Sequence, residues 1–229
     1  MKTNILPKTK QGFIFIIAAT IFASFAPSCT DDGEDLSASA NLMIVNSAEG
    51  SAAQDFYVDD TKVNSQAVAY TQSSGYFTVS SGSRKAEFKS TGTTTVNSSS
   101  TLNLQGGKYY TVFYTGGSAS AAAYTTEDDR TPPSSGKAKV RFVHLSSAAA
   151  ASIDLAIQNG AKIVSGLAYK TASAYSEIDP AANFQLFAAG SANAALTLSS
   201  LGLQAGRIYT VYISGSTSVT ITYKVVANN

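Results

Sequence analysis

A thirteen-residue segment occurs twice in this chain, and it constrains the fold more than any other feature. The copies are Leu104–Gly116 and Leu203–Gly215, 99 residues apart, and each holds a run of aromatic and β-branched residues between two glycines. Such a run is typical of a long β-strand between turns. With the same shift, sixteen of the 70 positions from Asp55 to Tyr124 are identical. The sequence therefore predicts two domains of one fold.

The rest of each copy also predicts strands. Short apolar runs alternate with Gly, Ser, Asn and Asp, no stretch keeps a helical period, and one predicted strand covers Gln66–Tyr70. Seven or eight short strands in about 90 residues are typical of an antiparallel β-sandwich. The predicted fold class is all-β, with two tandem antiparallel β-sandwich domains of the immunoglobulin type.

The repeated strand predicts burial on both of its faces. Tyr110, Val112 and Tyr114 share one face, and Tyr109, Thr111 and Phe113 share the other. Both sets are apolar enough for a central strand that is covered on two sides. Because Tyr110 and Val112 recur as Tyr209 and Val211, we expect the first set to lie in the core.

The first 28 residues predict a cleaved signal peptide. Lys2, Lys8 and Lys10 precede the apolar run Phe13–Ala26, which matches the layout of a secretory signal. As a helix this run spans about 21 Å, against roughly 30 Å of bilayer hydrocarbon, so a transmembrane helix is the less favoured interpretation.

Cys29, the single cysteine, follows directly and is preceded by Ala26-Pro27-Ser28 and followed by an acidic run. This arrangement resembles the signals of Bacteroidota lipoproteins. The resemblance implies that Cys29 is lipidated, that residues 29–39 form an acidic tether, and that the protein is exposed on the outer membrane. An unmodified cysteine after a plain signal-peptidase cut, and a tether that is only a disordered segment, remain open.

The Pro-, Ser- and Gly-rich stretch at 131–137 predicts a linker between β-sandwich domains at 40–130 and 138–229. Loss of residues 1–28 removes three of sixteen basic residues and leaves 13 against 15 acidic ones, a net charge of −2. No dense basic cluster remains in the sequence, which excludes nucleic acid as a partner.

The second copy resembles a bacterial family, domain of unknown function 4397. The resemblance rests on Lys139–Ser146, Ile153–Ile157, Leu167–Tyr169, Ala174-Tyr175 and Leu203–Val211, and it extends over residues 138–226. Members of this family are typically secreted or lipid-anchored. The family implies no reaction and no ligand.

Few side chains are candidates for catalysis. His144 is the only histidine, and its counterpart in the first copy is Asn46, so we interpret it as a hydrogen-bonding turn residue. Glu177 and Asp179 lie two residues apart, as an acid/base pair does, but they equally fit surface carboxylates before a turn. We predict no catalytic residue and no cofactor.

Metal and glycan binding have weaker support. Asp55, Asp59 and Asp60, or Glu127–Asp129, offer oxygen ligands for Ca²⁺ but lack the spacing of a known calcium motif, and we predict no metal site. The twelve tyrosines leave stacking against sugars open, although tryptophan is absent.

These features predict a non-enzymatic cell-envelope surface lipoprotein whose two domains serve display, scaffolding or adhesion. The alternative is a carbohydrate-binding accessory lipoprotein of a nutrient-uptake system, which a row of exposed aromatic side chains would favour. Envelope proteins or glycans are the expected partners. We expect them to contact loops that differ between the copies: Ala48–Gln54 and Gly92–Ser98 in the first, and Ser147–Ser152 and Ser191–Thr197 in the second.

Overall fold

The computed structural model describes residues 1–3, 38–116 and 121–229. Regular structure in these ranges is β-strand alone, and they contain no helix that could cross a membrane. The predicted all-β class is therefore confirmed. Cys29, the apolar signal and most of the tether lie outside the described ranges, so lipidation and localisation remain predictions.

We call residues 38–130 the first half and residues 138–229 the second half. The strands of the first half are β1 (Ser39–Asn46), β2 (Gln54–Val58), β3 (Thr61–Lys62), β4 (Phe77–Ser80), β5 (Gly82–Ser90), β6 (Val96–Leu104), β7 (Tyr109–Thr115) and β8 (Ala122–Glu127). Those of the second half are β9 (Ala138–His144), β10 (Ser152–Ile157), β11 (Lys162–Ala168), β12 (Thr171–Ala172), β13 (Ser176–Ile178), β14 (Phe184–Ala188), β15 (Ala194–Leu198), β16 (Ile208–Ser214) and β17 (Thr222–Ala227).

Each half consists of two sheets that face each other across a core. The sheets of the first half have the strand orders β4-β1-β7-β8 and β3-β2-β5-β6. Those of the second half are β12-β9-β16-β17, with β13 also paired to β9, and β11-β10-β14-β15. Leu42 and Ile44 from one sheet pack with Phe56 and Phe88 from the other. The architecture of each half is thus sandwich-like.

One sheet in each half is mixed rather than purely antiparallel, which corrects the prediction. β1 pairs with β7 in parallel, and β9 pairs with β16 in the same way, while the remaining pairs are antiparallel. Parallel neighbours need a long crossover. Here the crossover includes the whole second sheet of each half. Strand direction leaves no trace in the local residue pattern, so the sequence did not show this.

Tyr110 and Tyr209 occupy matching core positions, as predicted. Their exposed fractions are 6% and 8%, and each lies in the core of its own half. Each hydroxyl accepts a hydrogen bond from a backbone N–H five residues upstream, that of Gln105 at 3.1 Å and that of Gln204 at 3.2 Å. The buried hydroxyls are therefore satisfied, and the rings contribute to both cores without an unpaired polar group.

The predicted strand at Gln66–Tyr70 is wrong. In its place a loop runs from Val63 to Tyr76. It contacts the strands through two isolated bridges, Gln54 with Val68 and Val45 with Ser73, and through backbone hydrogen bonds to Ile44 and Asn46. The buried Asn64 side chain causes the break, because its oxygen accepts from the N–H of Phe56 at 2.7 Å and its amide donates to the carbonyls of Gln54 in β2 and Gln66 in the loop. Hydrogen bonds of the Asn64 side chain thus replace the backbone hydrogen bonds that a regular strand pair would make here.

A third buried cluster joins the two halves. Met43, Val45 and Phe113 from the first half pack against Val143, Leu145, Tyr212 and Val226 from the second half. The rings of Phe113 and Tyr212, which are counterparts 99 residues apart, meet edge to face with centroids 5.8 Å apart. The second face of the repeated strand is thus covered, as predicted. The described chain from Ala38 onward forms one compact unit.

A buried ion pair crosses the same interface. The Arg141 guanidinium on β9 contacts the Asp128 carboxylate directly after β8, and the two side chains are 3% and 0% exposed. Arg141 also donates to the carbonyl oxygen of Glu127 at 2.7 Å and to the Thr210 hydroxyl at 2.8 Å. All three guanidinium nitrogens therefore have acceptors, as a buried arginine requires.

Further hydrogen bonds extend this network. The hydroxyls of Tyr76 and Thr111 each donate to the second Asp128 oxygen at 2.6 Å. Asn228 near the C-terminus accepts from Thr210 at 2.7 Å and donates to Tyr76 at 3.1 Å. Burial, together with the Asp128 charge, raises the pKa of Tyr76 above its ordinary value. The halves are therefore tied by a satisfied polar network as well as by apolar packing.

Candidate binding grooves

The histidine and the acidic pair that the sequence offers for catalysis lie apart from each other. Antiparallel register places Glu177 opposite Lys139, whereas His144 lies five residues further along β9, about 17 Å away. Glu177 accepts a hydrogen bond from the Ser134 backbone N–H at 2.9 Å, which holds the pKa of its carboxyl below the ordinary value. A general acid at neutral pH needs the opposite shift. Asp179 caps a turn by accepting from the N–H of Ala181.

His144 and Asn46 perform one structural role. Both are buried, and each places a side-chain nitrogen at hydrogen-bond distance from a carbonyl in the loop that follows its strand. The His144 nitrogen lies 2.9 Å from the Ala150 carbonyl oxygen, and the Asn46 amide donates to the Ala52 carbonyl at 3.3 Å. The ring of His144 also meets Tyr169 edge to face. These contacts agree with the predicted turn residue.

We expect acid to destabilise the protein through His144. Burial lowers the pKa of this imidazole below 6.5, so the unfolded state binds the proton more readily than the folded state. The stabilising contribution is complete above pH 6.5 and is lost as the pH falls below that value. His144→Asn, which copies the first half, should flatten the fall in Tm between pH 7 and 5. An unchanged pH profile would contradict this assignment.

The carboxylates considered for calcium are held by basic side chains or backbone. Asp55 pairs with Lys62 at 2.7 Å, and Asp60 pairs with Lys85 at 2.8 Å. Asp59 and Asp60 have φ angles of 47° and 65°, as a tight hairpin turn between β2 and β3 requires. In the described part of the chain, no group of three acidic, histidine or cysteine side chains is placed to hold a metal ion.

A groove of about 600 Å³ lies along the loop that replaces the expected strand. Its lining combines amides and hydroxyls with an apolar side: Val63, Asn64, Ser65, Gln66, Ala67, Val68, Ala69, Gln72, Ser73, Ser74, Gly75, Tyr76 and Phe77. Gln66, Gln72 and Ser73 are exposed, whereas the Asn64 amide is used within the fold. The lining carries no charged side chain. We call this space the first groove.

The second half has a groove of about 450 Å³ at the same place, which we call the second groove. Its ten lining residues are Ile163, Val164, Ser165, Gly166, Leu167, Ala168, Thr171, Ser173, Ala174 and Ser176. Each is the 99-residue counterpart of a residue that lines the first groove. The fold therefore produces the same concave site twice.

The linings of the two grooves differ in chemistry. Asn64, Gln66 and Gln72 of the first groove correspond to Ile163, Ser165 and Thr171 of the second. Two equivalent sites with different side chains are suited to different ligands. Sequence reasoning missed both grooves, and in the first half this was because the Val- and Ala-containing stretch Gln66–Tyr70 was interpreted as a strand. The uncharged run of Ser, Gln and Asn around it was the signal that pointed to a loop.

Two of the loops expected to bind partners, Ala48–Gln54 and Gly92–Ser98, meet at one end of the first half. The backbone of Thr91 donates to Ala53 at 3.0 Å, and the Asn97 amide donates to the Gln54 side chain at 2.8 Å. One of these loops also reaches the second half, since the Glu49 carboxylate accepts from the N–H and hydroxyl of Ser216, both at 2.7 Å. The structure thus brings these loops together and engages one of them in the interface.

No aromatic side chain in the described ranges is fully exposed; the large exposed apolar residues there are Met1, Val96 and Val219. The aromatic row that would favour carbohydrate binding is therefore absent from this part of the surface. Tyr57 is half-buried and lies under the ammonium group of Lys89, 4.2 Å from the ring centroid.

A family model described as a domain of unknown function, DUF4397, matches residues 40–156, just over half of the chain. The chain belongs to this family. The DUF4397 match includes nearly all of the first half, the linker, β9 and nearly all of β10. The resemblance noted from the sequence spans residues 138–226, and the match overlaps that range only as far as residue 156. Among curated proteins none matches the chain.

Two solved structures align with this member of the family at low similarity. A carbohydrate-binding module of family CBM26 from Eubacterium rectale Amy13K, in complex with maltoheptaose, covers 82% of this chain and 97% of its own, with 12% identity and a TM-score of 0.29. The Bacillus anthracis TIE protein covers 79% of this chain and 34% of its own, with 11% identity and a TM-score of 0.25. Neither score is high enough to carry a ligand or a domain assignment to this chain.

Proposed function

We propose that this protein is a non-enzymatic lipoprotein of the cell surface that binds envelope or extracellular partners for display, scaffolding or adhesion. The observation that carries this proposal is the pair of equivalent grooves with different linings. Repetition of the site without repetition of its chemistry favours recognition over a shared reaction. In this proposal residues 40–130 and 138–229 are immunoglobulin-like domains, residues 131–137 link them, and Cys29 carries the lipid anchor.

Two features of the structure support a binding role. His144 lies apart from Glu177 and Asp179, and the polar atoms of all three are used in turns or in contacts with the linker. In addition, the buried network around Arg141 and Asp128 holds the halves together. A rigid pair of grooves binds with a smaller loss of conformational entropy than two independently moving sites.

Carbohydrate binding is the second candidate, and the first groove favours it. Exposed Gln66, Gln72 and Ser73 can donate to and accept from sugar hydroxyls, and Phe77 provides an apolar wall. The half-buried state of the aromatic rings argues against it, because stacking on a sugar needs an exposed face.

Binding is tested with a photo-cross-linking side chain at Gln72 in the first groove or at Thr171 in the second, on intact cells. We expect cross-links to envelope proteins or glycans from these positions. Val219, which is 91% exposed and lies outside both grooves, is the matched control and should give none. Equal labelling from all three positions, or a hydrolytic activity that Glu177→Gln abolishes, would contradict the proposal.

Anchoring is tested separately with Cys29→Ala. Loss of the acylated thiol should release the processed protein into the soluble fraction, because stable anchoring depends on acyl chains in the membrane. Fractionation and the mass of the mature N-terminus measure this. Membrane retention of a correctly processed Cys29→Ala protein would rule out the lipid anchor and leave the groove experiment unaffected.

A further inference from the structure

We propose that the free edge of β4, beside the first groove, binds an extended and uncharged polypeptide segment as an additional strand. This inference rests on the proposed binding function and names its partner class. Strand addition obtains affinity from backbone hydrogen bonds and selectivity from pockets for alternate side chains. The edge of β4 offers both.

The backbone of β4 has hydrogen-bonding groups that point away from its sheet. In the described structure β4 pairs with β1 alone, with Leu42 opposite Phe77 and Ala40 opposite Val79. The next bond of this ladder runs from the N–H of Ser81 to the carbonyl of Ala38 at 2.9 Å. Since bonded residues alternate in an antiparallel pair, Phe77 and Val79 face β1, and Thr78 faces outward.

Among the described residues, three outward groups are thereby left without a backbone partner and are available to a new strand. They are the N–H and carbonyl of Thr78 and the N–H of Ser80, whereas the Ser80 carbonyl accepts from Arg84 Nε at 3.2 Å. Thr78 and Ser80 are both exposed. An exposed strand edge of this kind is a template for pairing with another chain.

The space beside this edge can hold the side chains of a bound strand. A second hollow of about 450 Å³ continues from the first groove along β4 and shares Val63 with it. Val58, Val63 and Val79 give this hollow an apolar floor. Because successive side chains of a strand point to opposite faces, every second residue of the ligand would lie on this floor.

The charge of the site selects a neutral ligand. Among the described residues, none of those lining the first groove is charged, and the hollow beside β4 has Asp59 and Arg84 as its charged lining residues. These two side chains pair with each other at 3.3 Å. A charged peptide would lose hydration here without gaining a partner, so uncharged segments are favoured.

The second half lacks the same opportunity. Its counterpart of Thr78 is Glu177 on β13, whose carboxylate accepts from the linker N–H of Ser134 at 2.9 Å. A charged residue on an edge strand opposes pairing with further strands. In the described part of the chain, one of the two equivalent edges therefore carries a charged residue that opposes pairing, and the other edge is open.

The test uses the protein purified in detergent from cells that express the full chain. The probe is an uncharged peptide of about ten residues in which Val or Thr alternates with Ser. The control peptide has the same sequence with methylated central backbone nitrogens. We expect the first peptide to slow hydrogen exchange in the segment Phe77–Ser80, and the methylated peptide to bind about tenfold more weakly or worse.

A reciprocal pair of variants locates the site. Thr78→Glu places on β4 the residue that β13 already carries, so the fold should tolerate it, and an unchanged Tm verifies this. It should weaken peptide binding by about tenfold or more. Glu177→Thr is the matched control and should leave affinity at the first half unchanged.

Several outcomes would overturn the inference. These are equal binding of the methylated peptide, protection confined to segments other than Phe77–Ser80, no peptide binding at millimolar concentration, or an unweakened Thr78→Glu protein. Neutral oligosaccharides that protect this segment while peptides do not would assign the groove to carbohydrate instead. Cross-linking from Gln72 remains a separate readout, so this inference can fail while the proposed binding function stands.

Discussion

Asp128→Ala is expected to lower the free energy of unfolding by about 3–5 kcal/mol. The change leaves the Arg141 guanidinium, which is 3% exposed, without its carboxylate in the interface between the halves. It also removes the acceptor of the Tyr76 and Thr111 hydroxyls. Breaking a buried pair costs more than the pair contributes, since an uncompensated charge remains. Chemical denaturation monitored by circular dichroism measures the loss.

Two further variants separate charge burial from simple truncation. Asp128→Ala combined with Arg141→Met removes both charges, and we expect it to recover most of the lost stability. Glu127→Ala removes the neighbouring pair with Lys108, in which both side chains are about half exposed, and should change stability by no more than about 0.5 kcal/mol. If the single Asp128 variant costs as little as the Glu127 variant, the buried pair does not stabilise the interface.

Tyr209→Ala is expected to cost about 3–5 kcal/mol, because it removes a buried ring and leaves a cavity in the second core. The backbone N–H of Gln204 also loses its acceptor. A domain of this size has only about 5–15 kcal/mol of stability, so the second half should be close to unfolding at 37 °C. Differential scanning calorimetry measures the shift.

The destabilisation caused by Tyr209→Ala should extend to the first half. The linker alone predicts that residues 40–130 melt as before, but the shared cluster of Met43, Phe113 and Tyr212 loses one side when the second half unfolds. We therefore expect faster hydrogen exchange in the first half of the Tyr209→Ala protein. Tyr110→Ala is the matched variant and should destabilise the second half in the same way. Two independent transitions, with the unmutated half unchanged, would show that the interface does not couple the halves.

Several features of this protein followed from local sequence alone. The spacing of 99 residues predicted the repeated strands β7 and β16, and side-chain alternation placed Tyr110 and Tyr209 in the two cores. Alternation also indicated that the opposite face of β7, with Phe113, is covered. These inferences succeed because successive side chains of a strand point to opposite faces. A buried face therefore appears in the sequence as apolar residues at every second position.

Other features depended on contacts that the local pattern does not contain. Pairing of β1 with β7 is parallel because of the path through a second sheet, and strand direction does not alter residue alternation. The sequence showed that Phe113 is covered but not that Tyr212 of the other half covers it. Asn64 displaces a strand through hydrogen bonds to Phe56, Gln54 and Gln66, and this side-chain placement creates the first groove. Local sequence thus determined which faces are buried, and tertiary packing decided what buries them and where a groove remains, because both depend on residues far apart in the chain.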